Sequence, residues 1–239
     1  MQIKTAYLTS CGGRSANDDT ACIGQDGTRT WVFVGDGLGG YAGGKLASQA
    51  AGEALVRAAQ SGGLLAEGGL LTAADAADRA VRQVQQREKG RMKTTMVFLY
   101  LDGAQARWMH VGDSRLYHFQ GARLKSQTMD HSVSQMAVLM GEITPDQIRF
   151  HEDRSRVLRA LGADNARVEL SPPTPLRAGV DAFLLCTDGF WEYVYEEEMQ
   201  RALAAADTPA AWLGEMERLL HTRAPAEHDN YTAVAVFCE

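Results

Sequence analysis

The stretch WVFVGDGLGG (31–40) runs through four apolar residues into Asp36, which glycines flank, and then passes into a Gly-rich loop and a helical pattern. Two later stretches end in the same way, WMHVGDS (108–114) and FLLCTDG (183–189), each carrying a β-like apolar run into an aspartate beside small residues. Asp229 stands just before the last β-like run, and Asp18 and Asp19 stand just before an early one. An Asp-Gly pair ordinarily makes a turn, and the chain supplies its own controls. Asp26-Gly27 and Asp102-Gly103 each lie between two β-like runs, as a hairpin requires, whereas Asp36-Gly37 and Asp188-Gly189 are followed by helical pattern. A hairpin therefore does not account for these two, and the spacing predicts buried strand stems that deliver carboxylates to one end of a sheet.

Carboxylates gathered in a partly buried place repel one another, and protonation, a Lys or Arg, or a cation must relieve them. No basic residue lies within four positions of Asp36 or Asp188. Oxygen-only donors suit hard cations, Mg²⁺ or Mn²⁺, rather than zinc, which prefers His and Cys. A carboxylate-bridged pair of such ions holds a hydroxide between them and clamps phosphate oxygens for in-line attack, which is phosphoryl-hydrolysis chemistry.

Outward from these motifs, period-two runs predict strands at 3–9, 19–24, 31–37, 94–101, 106–113, 115–120, 181–188 and 230–237. Helical spacing predicts helices at 43–60, 70–89, 195–204 and 208–221, with a shorter piece at 155–161. Strands cluster in hairpins and helices come in pairs, so α+β layers fit better than βαβ alternation. One domain over residues 1–239 is expected.

The 239 residues carry 24 Lys+Arg against 30 Asp+Glu, a net charge of −6. That balance argues against a nucleic-acid partner, because phosphate tracks demand a positive face. No apolar run approaches the roughly 18–20 residues needed to span a bilayer, so membrane insertion is not expected. The four cysteines, Cys11, Cys22, Cys186 and Cys238, are scattered with no C-x-x-C pair, which fits reduced thiols and a cytoplasmic location. Glycine is in excess, 24 of 239, and seven of these fall within residues 35–44 or at Gly189, beside the acids.

In order along the chain, RSANDD (14–19), VGDGLGG (34–40), Thr94-Thr95, HVGDSRLY (110–117), Asp130-His131-Ser132, SRVLRALG (155–162), LLCTDGFWE (184–192) and Asp229-Asn230-Tyr231-Thr232 resemble the PPM/PP2C family of metal-dependent protein serine/threonine phosphatases. The resemblance implies a four-layer αββα sandwich, two central antiparallel sheets flanked by helix pairs, with two Mn²⁺ or Mg²⁺ ions at one end. It implies that Asp36 bridges the ions and the Gly37 carbonyl binds the first, while Asp188 and Asp229 bind the second. Asp113 would help Asp188 hold a weaker third ion, and Asp18 would reach the first ion through water. Arg14 would bind the substrate phosphate, a task that suits a guanidinium fork. Asp19 would support the site and Asn230 would orient Asp229 or nearby water. The implied activity is hydrolysis of phosphoserine and phosphothreonine in proteins. The implied partners are a phosphoprotein and a bacterial Hanks-type kinase, including those controlling type VI secretion.

Three departures stand out. Leu38 occupies the place after Asp-Gly where many eukaryotic members have a histidine as candidate general acid. Lys93 replaces the glycine that usually precedes the Thr-Thr pair. Residues 132–152 correspond to a variable flap beside the site, where substrate choice is expected to lie.

Other readings are weaker. Gly35-x-Gly37-x-x-Gly40 matches a dinucleotide fingerprint, but Asp36 would aim a negative charge at the pyrophosphate, and no acid-tipped strand follows about 20 residues later. Asp130-His131-Ser132 are adjacent, so their side chains point apart and form a structural loop rather than a triad. Cys186 is expected to be a buried core thiol, because no arginine lies six residues beyond it. The six histidines show no metal-ligand spacing, and His228 is the one to watch as a cleft neighbour. A catalytically silent regulatory module of the same fold would be expected to lose metal acids, and this chain keeps them all.

Overall fold

The structure is a computed structural model and describes residues 1–39 and 43–239. In chain order the elements are β1 (Ile3–Ser10), β2 (Thr20–Asp26), β3 (Arg29–Gly35), β4 (Gly37–Leu38), α1 (Gly43–Ser61), α2 (Gly69–Glu88), β5 (Lys93–Thr94), β6 (Met96–Asp102), β7 (Gln105–Val111), β8 (Arg115–Gln120) and β9 (Arg123–Gln127). There follow α3 (Val133–Leu139), a 3-10 helix (Pro145–Phe150), β10 (Glu169–Leu170), β11 (Thr174–Pro175), β12 (Asp181–Cys186), α4 (Asp188–Trp191), α5 (Glu196–Ala205), α6 (Pro209–Arg223) and β13 (Tyr231–Cys238).

Two antiparallel sheets form the centre, one ordered β1-β13-β12-β8-β9 and the other β10-β7-β6-β3-β2, with β11 beside β7. The alternation along β3 shows how sequence sets the layers. Val32 and Val34 point between the sheets, into a cluster with Val97, Leu99, Phe183, Leu185 and Val234. Trp31 and Phe33 point the other way, into the cluster under α1 and α2 that includes Phe98, Ala51, Leu55, Ala77 and Val81. The alanines on those helices leave room for the large aromatics of the sheet, and each fully buried Phe contributes about 1.5–3 kcal/mol. On the far side, Trp191, Trp212, Met199 and Met216 from the later helices cover Tyr117, Phe119, Leu184 and Cys186. The layers are helix, sheet, sheet, helix, as the α+β reading expects. Among the described residues no helix is long and apolar enough to cross a membrane.

The helix expected at 155–161 is absent. This segment is extended, and its backbone groups serve neighbouring chain: Val133 N–H donates to the Arg156 carbonyl, and Leu161 and Thr94 exchange both bonds at 2.9 and 3.2 Å. The Val and Leu spacing that reads as helical reflects Leu161 reaching the core while Leu158 stays exposed. The predicted strand 181–188 stops at Cys186, so Asp188 opens α4 instead of ending β12. Cys186 is a buried core thiol as expected, and burial pushes its pKa up.

Candidate active site

At one end of the sandwich, β3 hands over to β4 through Asp36. The backbone of Asp36 is gripped on both sides: its N–H donates to the Thr95 hydroxyl at 2.8 Å, and its carbonyl accepts from Thr95 N–H at 2.9 Å and from the Thr94 hydroxyl at 2.8 Å. The Thr95 hydroxyl also shares a hydrogen bond with the Ser114 hydroxyl at 2.7 Å. Thr95 thus ties the loop of Asp36 to the loop of Asp113. Glycine is required next door, since a Cβ on Gly37 would come within 2.2 Å of the Gly44 carbonyl and one on Gly44 within 2.2 Å of the Gly37 carbonyl. That contact seats the start of α1 against β4.

Asp188 and Asp229 reach the same end from neighbouring strands. A Cβ on Gly189 would sit 2.0 Å from the Asn230 carbonyl, so only glycine lets the start of α4 close on the segment before β13. Asp113 follows β7, and the Trp191 indole N–H holds its carbonyl at 2.9 Å. Beneath it, Arg115 is buried, bidentate to Asp130 at 2.8 and 2.7 Å, with its guanidinium 3.5 Å from the centre of the Trp191 ring.

The electrostatics are strained. Burial raises the pKa of Asp36 well above the ordinary carboxylate value, and the negative charges of Asp19, Asp113, Asp229 and Asp18 add to it. Asp188 is raised in the same way by burial and by Asp36, Asp113, Glu192 and Asp229. Burial, with Asp130 nearby, lifts Asp113 to about 7. Both carboxylate oxygens of Asp113 are buried with no hydrogen-bond partner. An all-oxygen donor set with orphaned, mutually repelling carboxylates fits a hard divalent cation.

Arg14, Asp18, Asp36, Gly37, Leu38, Asp229 and Asn230 line an open cleft of about 510 Å³ at this end, so Arg14 meets three of the acids there, while Asp113 and Asp188 lie outside that lining. Arg14 forks onto Asp229, Nε to Oδ1 at 3.2 Å and Nη2 to Oδ2 at 3.1 Å, which leaves its Nη1 edge free to take a phosphate oxygen. Asp19 lies deeper. The Thr187 hydroxyl donates to its Oδ2 at 2.8 Å while its Oδ1 has no partner, and burial, opposed by the Thr232 and Thr187 hydroxyls, raises its pKa to about 7. The side chain of Asn230 does not orient Asp229. Its amide hydrogens go to the carbonyls of Cys11 and Ala16 and its oxygen accepts the Asp18 N–H, so it stitches down the 11–18 loop that carries Asp18. Asp229 meets Asn230 only through the backbone N–H, at 2.8 Å. His228 is not in the cleft lining. It stacks on Tyr231 and bonds the Pro225 carbonyl beneath the 11–14 loop.

Residues 130–132 face three ways, Asp130 to Arg115, His131 to Gly112 and Glu169, and Ser132 to the Gln135 N–H as cap of α3. No triad forms. One compact grouping escaped the sequence reading: His110, His131 and Glu169, with ligand-type atoms within 4.8 Å of one another. The register that pairs Glu169 with His110 brings them together, a non-local signal. The two imidazoles stack in parallel, centroids 4.8 Å apart, so their in-plane lone pairs do not converge on a point. His131 Nδ1 accepts the Gly112 N–H at 3.1 Å, which leaves Nε2–H to donate to Glu169 at 2.9 Å. This cluster braces the turn before Asp113. Among the described residues no three of the cleft acids come that close together. Gly40, the last glycine of the fingerprint-like pattern, lies outside the described residues.

The comparisons agree with this geometry. The curated protein "Serine/threonine protein phosphatase PstP" of Mycobacterium tuberculosis is 31% identical over 227 residues, covering 92% of this chain and 42% of that protein. The chain therefore spans about two-fifths of that relative's length. The crystal structure of the catalytic domain of PstP in complex with two manganese ions superposes with a TM-score of 0.82 at 29% identity, over 98% of this chain and 97% of that one. PppA, described as a key regulatory component of T6SS in Pseudomonas aeruginosa, superposes with a TM-score of 0.81 at 30% identity, over 100% and 99%. A family model described as Protein phosphatase 2C matches residues 12–229. Nearly the whole chain, acid cleft included, lies within that match, and the protein belongs to the protein phosphatase 2C family.

Proposed function

We propose that this protein is a Mn²⁺- or Mg²⁺-dependent phosphatase that removes phosphate from phosphoserine and phosphothreonine in proteins. The observation that carries the reading is the mutual repulsion of the half-buried Asp36 and Asp188 and the buried Asp113, with Asp229 added, behind a cleft lined by Asp36, Asp229 and Arg14. When bound, the ions supply an activated water as nucleophile and neutralise the charge of the phosphate. Asp36 and the Gly37 carbonyl would hold the first ion, Asp18 would reach it through water, and Asp36 would serve the second ion as well. Asp188 and Asp229 would hold the second ion, and Asp113 with Asp188 would hold a weaker third. The free edge of Arg14 orients the phosphate for attack in line with the leaving oxygen. Leu38 cannot donate a proton, and among the described residues no histidine is in the cleft lining, so the place after Asp-Gly supplies no imidazole for the leaving serine or threonine.

Residues 1–239 act as one phosphatase domain, with the segment 132–152 as its flap. The substrate is a phosphoprotein, and the cysteines, all free, suit a cytoplasmic setting. A bacterial Hanks-type kinase supplies that substrate in this reading, and the likeness to PppA favours a place in type VI secretion control. Purified protein with Mn²⁺ is expected to hydrolyse p-nitrophenyl phosphate and a phosphothreonine peptide. Mn²⁺ bound by calorimetry with neither substrate turned over would leave a silent binding module instead.

A further inference from the structure

Beside the acid cleft, and sharing Leu38 with it, lies a second groove of about 400 Å³ whose lining carries Arg91, Lys93, Arg156 and Arg159 and no acid. The chain as a whole has a net charge of −6, so four cations on one groove are a local reversal of sign. They come from two segments, 91–93 and 156–159, that the exchange of backbone bonds between Thr94 and Leu161 holds together. Arg156 bonds Asp153 at 3.1 Å and Arg159 lies 3.5 Å from Glu169, both acids outside the lining. Arg91 and Lys93 are exposed and make no ion pair among the described residues. Lys93 is also placed by register, because β4 and β5 set it opposite Leu38, two residues from Asp36.

Resting on the phosphatase reading, we propose that this groove binds an anionic group on the substrate itself, a carboxylate or second phosphate in the sequence flanking the phosphorylated position. An extended phosphopeptide whose phosphate sits at Arg14 and the acids passes Leu38 and enters the groove. There, Arg91 and Lys93 have free donors for oxyanions. The groove thus selects substrates by charge while the cleft performs the hydrolysis.

Three phosphothreonine peptides test this with Mn²⁺-loaded enzyme: one with Gln at the flanking positions, one with Glu, and one with a non-hydrolysable phosphonate in place of a second phosphate. p-Nitrophenyl phosphate serves as a reference for hydrolysis alone. The wild type is expected to prefer an anionic peptide over the Gln peptide by roughly two- to fivefold in kcat/KM, the worth of about one exposed charge contact, with the preference shrinking at high salt. Arg91→Glu and Arg156→Glu are expected to erase it. The ratio is read within each variant, so changes in overall turnover cancel. A preference confined to the phosphonate peptide supports the groove as a reader of doubly phosphorylated segments. Equal wild-type rates on all three peptides, or a preference that both variants retain, overturns the groove. A wild type that turns over no peptide and no p-nitrophenyl phosphate overturns the phosphatase reading and the groove with it.

Discussion

The Thr95 hydroxyl accepts the backbone N–H of Asp36 at 2.8 Å and is hydrogen-bonded to the Ser114 hydroxyl at 2.7 Å, so one side chain sets the spacing of two acid-bearing loops. Thr95→Val keeps the shape and removes both bonds, stranding a buried N–H. A stability loss of about 1–3 kcal/mol is expected in urea unfolding, with Mn²⁺ affinity weakened by roughly ten- to a hundredfold, as for other groups that orient metal ligands. Thr95→Ser is expected to restore affinity. Wild-type affinity in the Val variant would show that the Asp36 loop holds its place without this bond.

Arg14 is bidentate to Asp229 with both side chains about half exposed, so the pair itself contributes little to stability. In the proposed function its importance lies in the phosphate. Arg14→Lys keeps the charge but loses the fork, and is expected to lower kcat/KM on a phosphothreonine peptide by roughly tenfold or more with thermal stability unchanged. Equal kcat/KM for the two proteins would remove Arg14 from phosphate binding.

The segment proposed as the flap is latched from below. Arg149, buried at the end of the 3-10 helix, donates to both oxygens of Glu196 at 2.6 Å and lies 5.1 Å from the Tyr195 ring centre. Arg149→Ala leaves Glu196 with Tyr117 at 3.2 Å and the more distant Arg115, so it is expected to cost about 1–3 kcal/mol. Hydrogen exchange read over residues 145–150 should accelerate more than exchange in β6. Uniform acceleration across the chain would mean that Arg149 supports global stability and not the flap.

Much of this was legible from sequence for a physical reason. A strand that buries both faces must be apolar throughout, and its end is where the backbone can turn, so Asp36 and Asp113 announce themselves by ending such runs. The Asp-Gly controls also hold, as Gly27 and Gly103 sit in hairpin turns with φ of +59° and +61°. What sequence could not show was contact between distant segments. The segment 155–161 has helical spacing, yet its backbone bonds to Thr94 and Val133 decide its shape. The His110–His131–Glu169 brace and the four cations of the groove exist only through strand pairing. For Asn230 the residue was legible but its partners were not, because three backbone groups of the 11–18 loop compete for one amide.

The carboxylates give the metal-free protein a pH dependence of defined sign. Asp19 and Asp113 have folded-state pKa values raised to about 7, above the value near 3.9 of an unfolded chain. The folded state then binds more protons than the unfolded state between these limits, so the stability these groups contribute is full below about pH 4 and is lost as pH rises through 7. Thermal unfolding in EDTA is expected to show that decline, and Mn²⁺ affinity should rise over the same window as protons leave. A metal-free protein whose stability climbs from pH 5 to 7.5 would contradict the burial assigned to these acids.

Function and stability therefore conflict at Asp36. Asparagine keeps its shape and removes the charge that Asp19, Asp113, Asp229 and Asp18 oppose. At pH 8, Asp36→Asn is expected to stabilise the metal-free protein by about 1–3 kcal/mol, a rise of roughly 2–10 °C at this chain length. The same variant should lose about a thousandfold or more in turnover, equal to about 4 kcal/mol of barrier, and gain no thermal stability from Mn²⁺. The two readouts must move in opposite directions, which a merely structural aspartate would not produce. Loss of both stability and activity would mean that Asp36 holds the fold together, and that the strain is not stored for the cations.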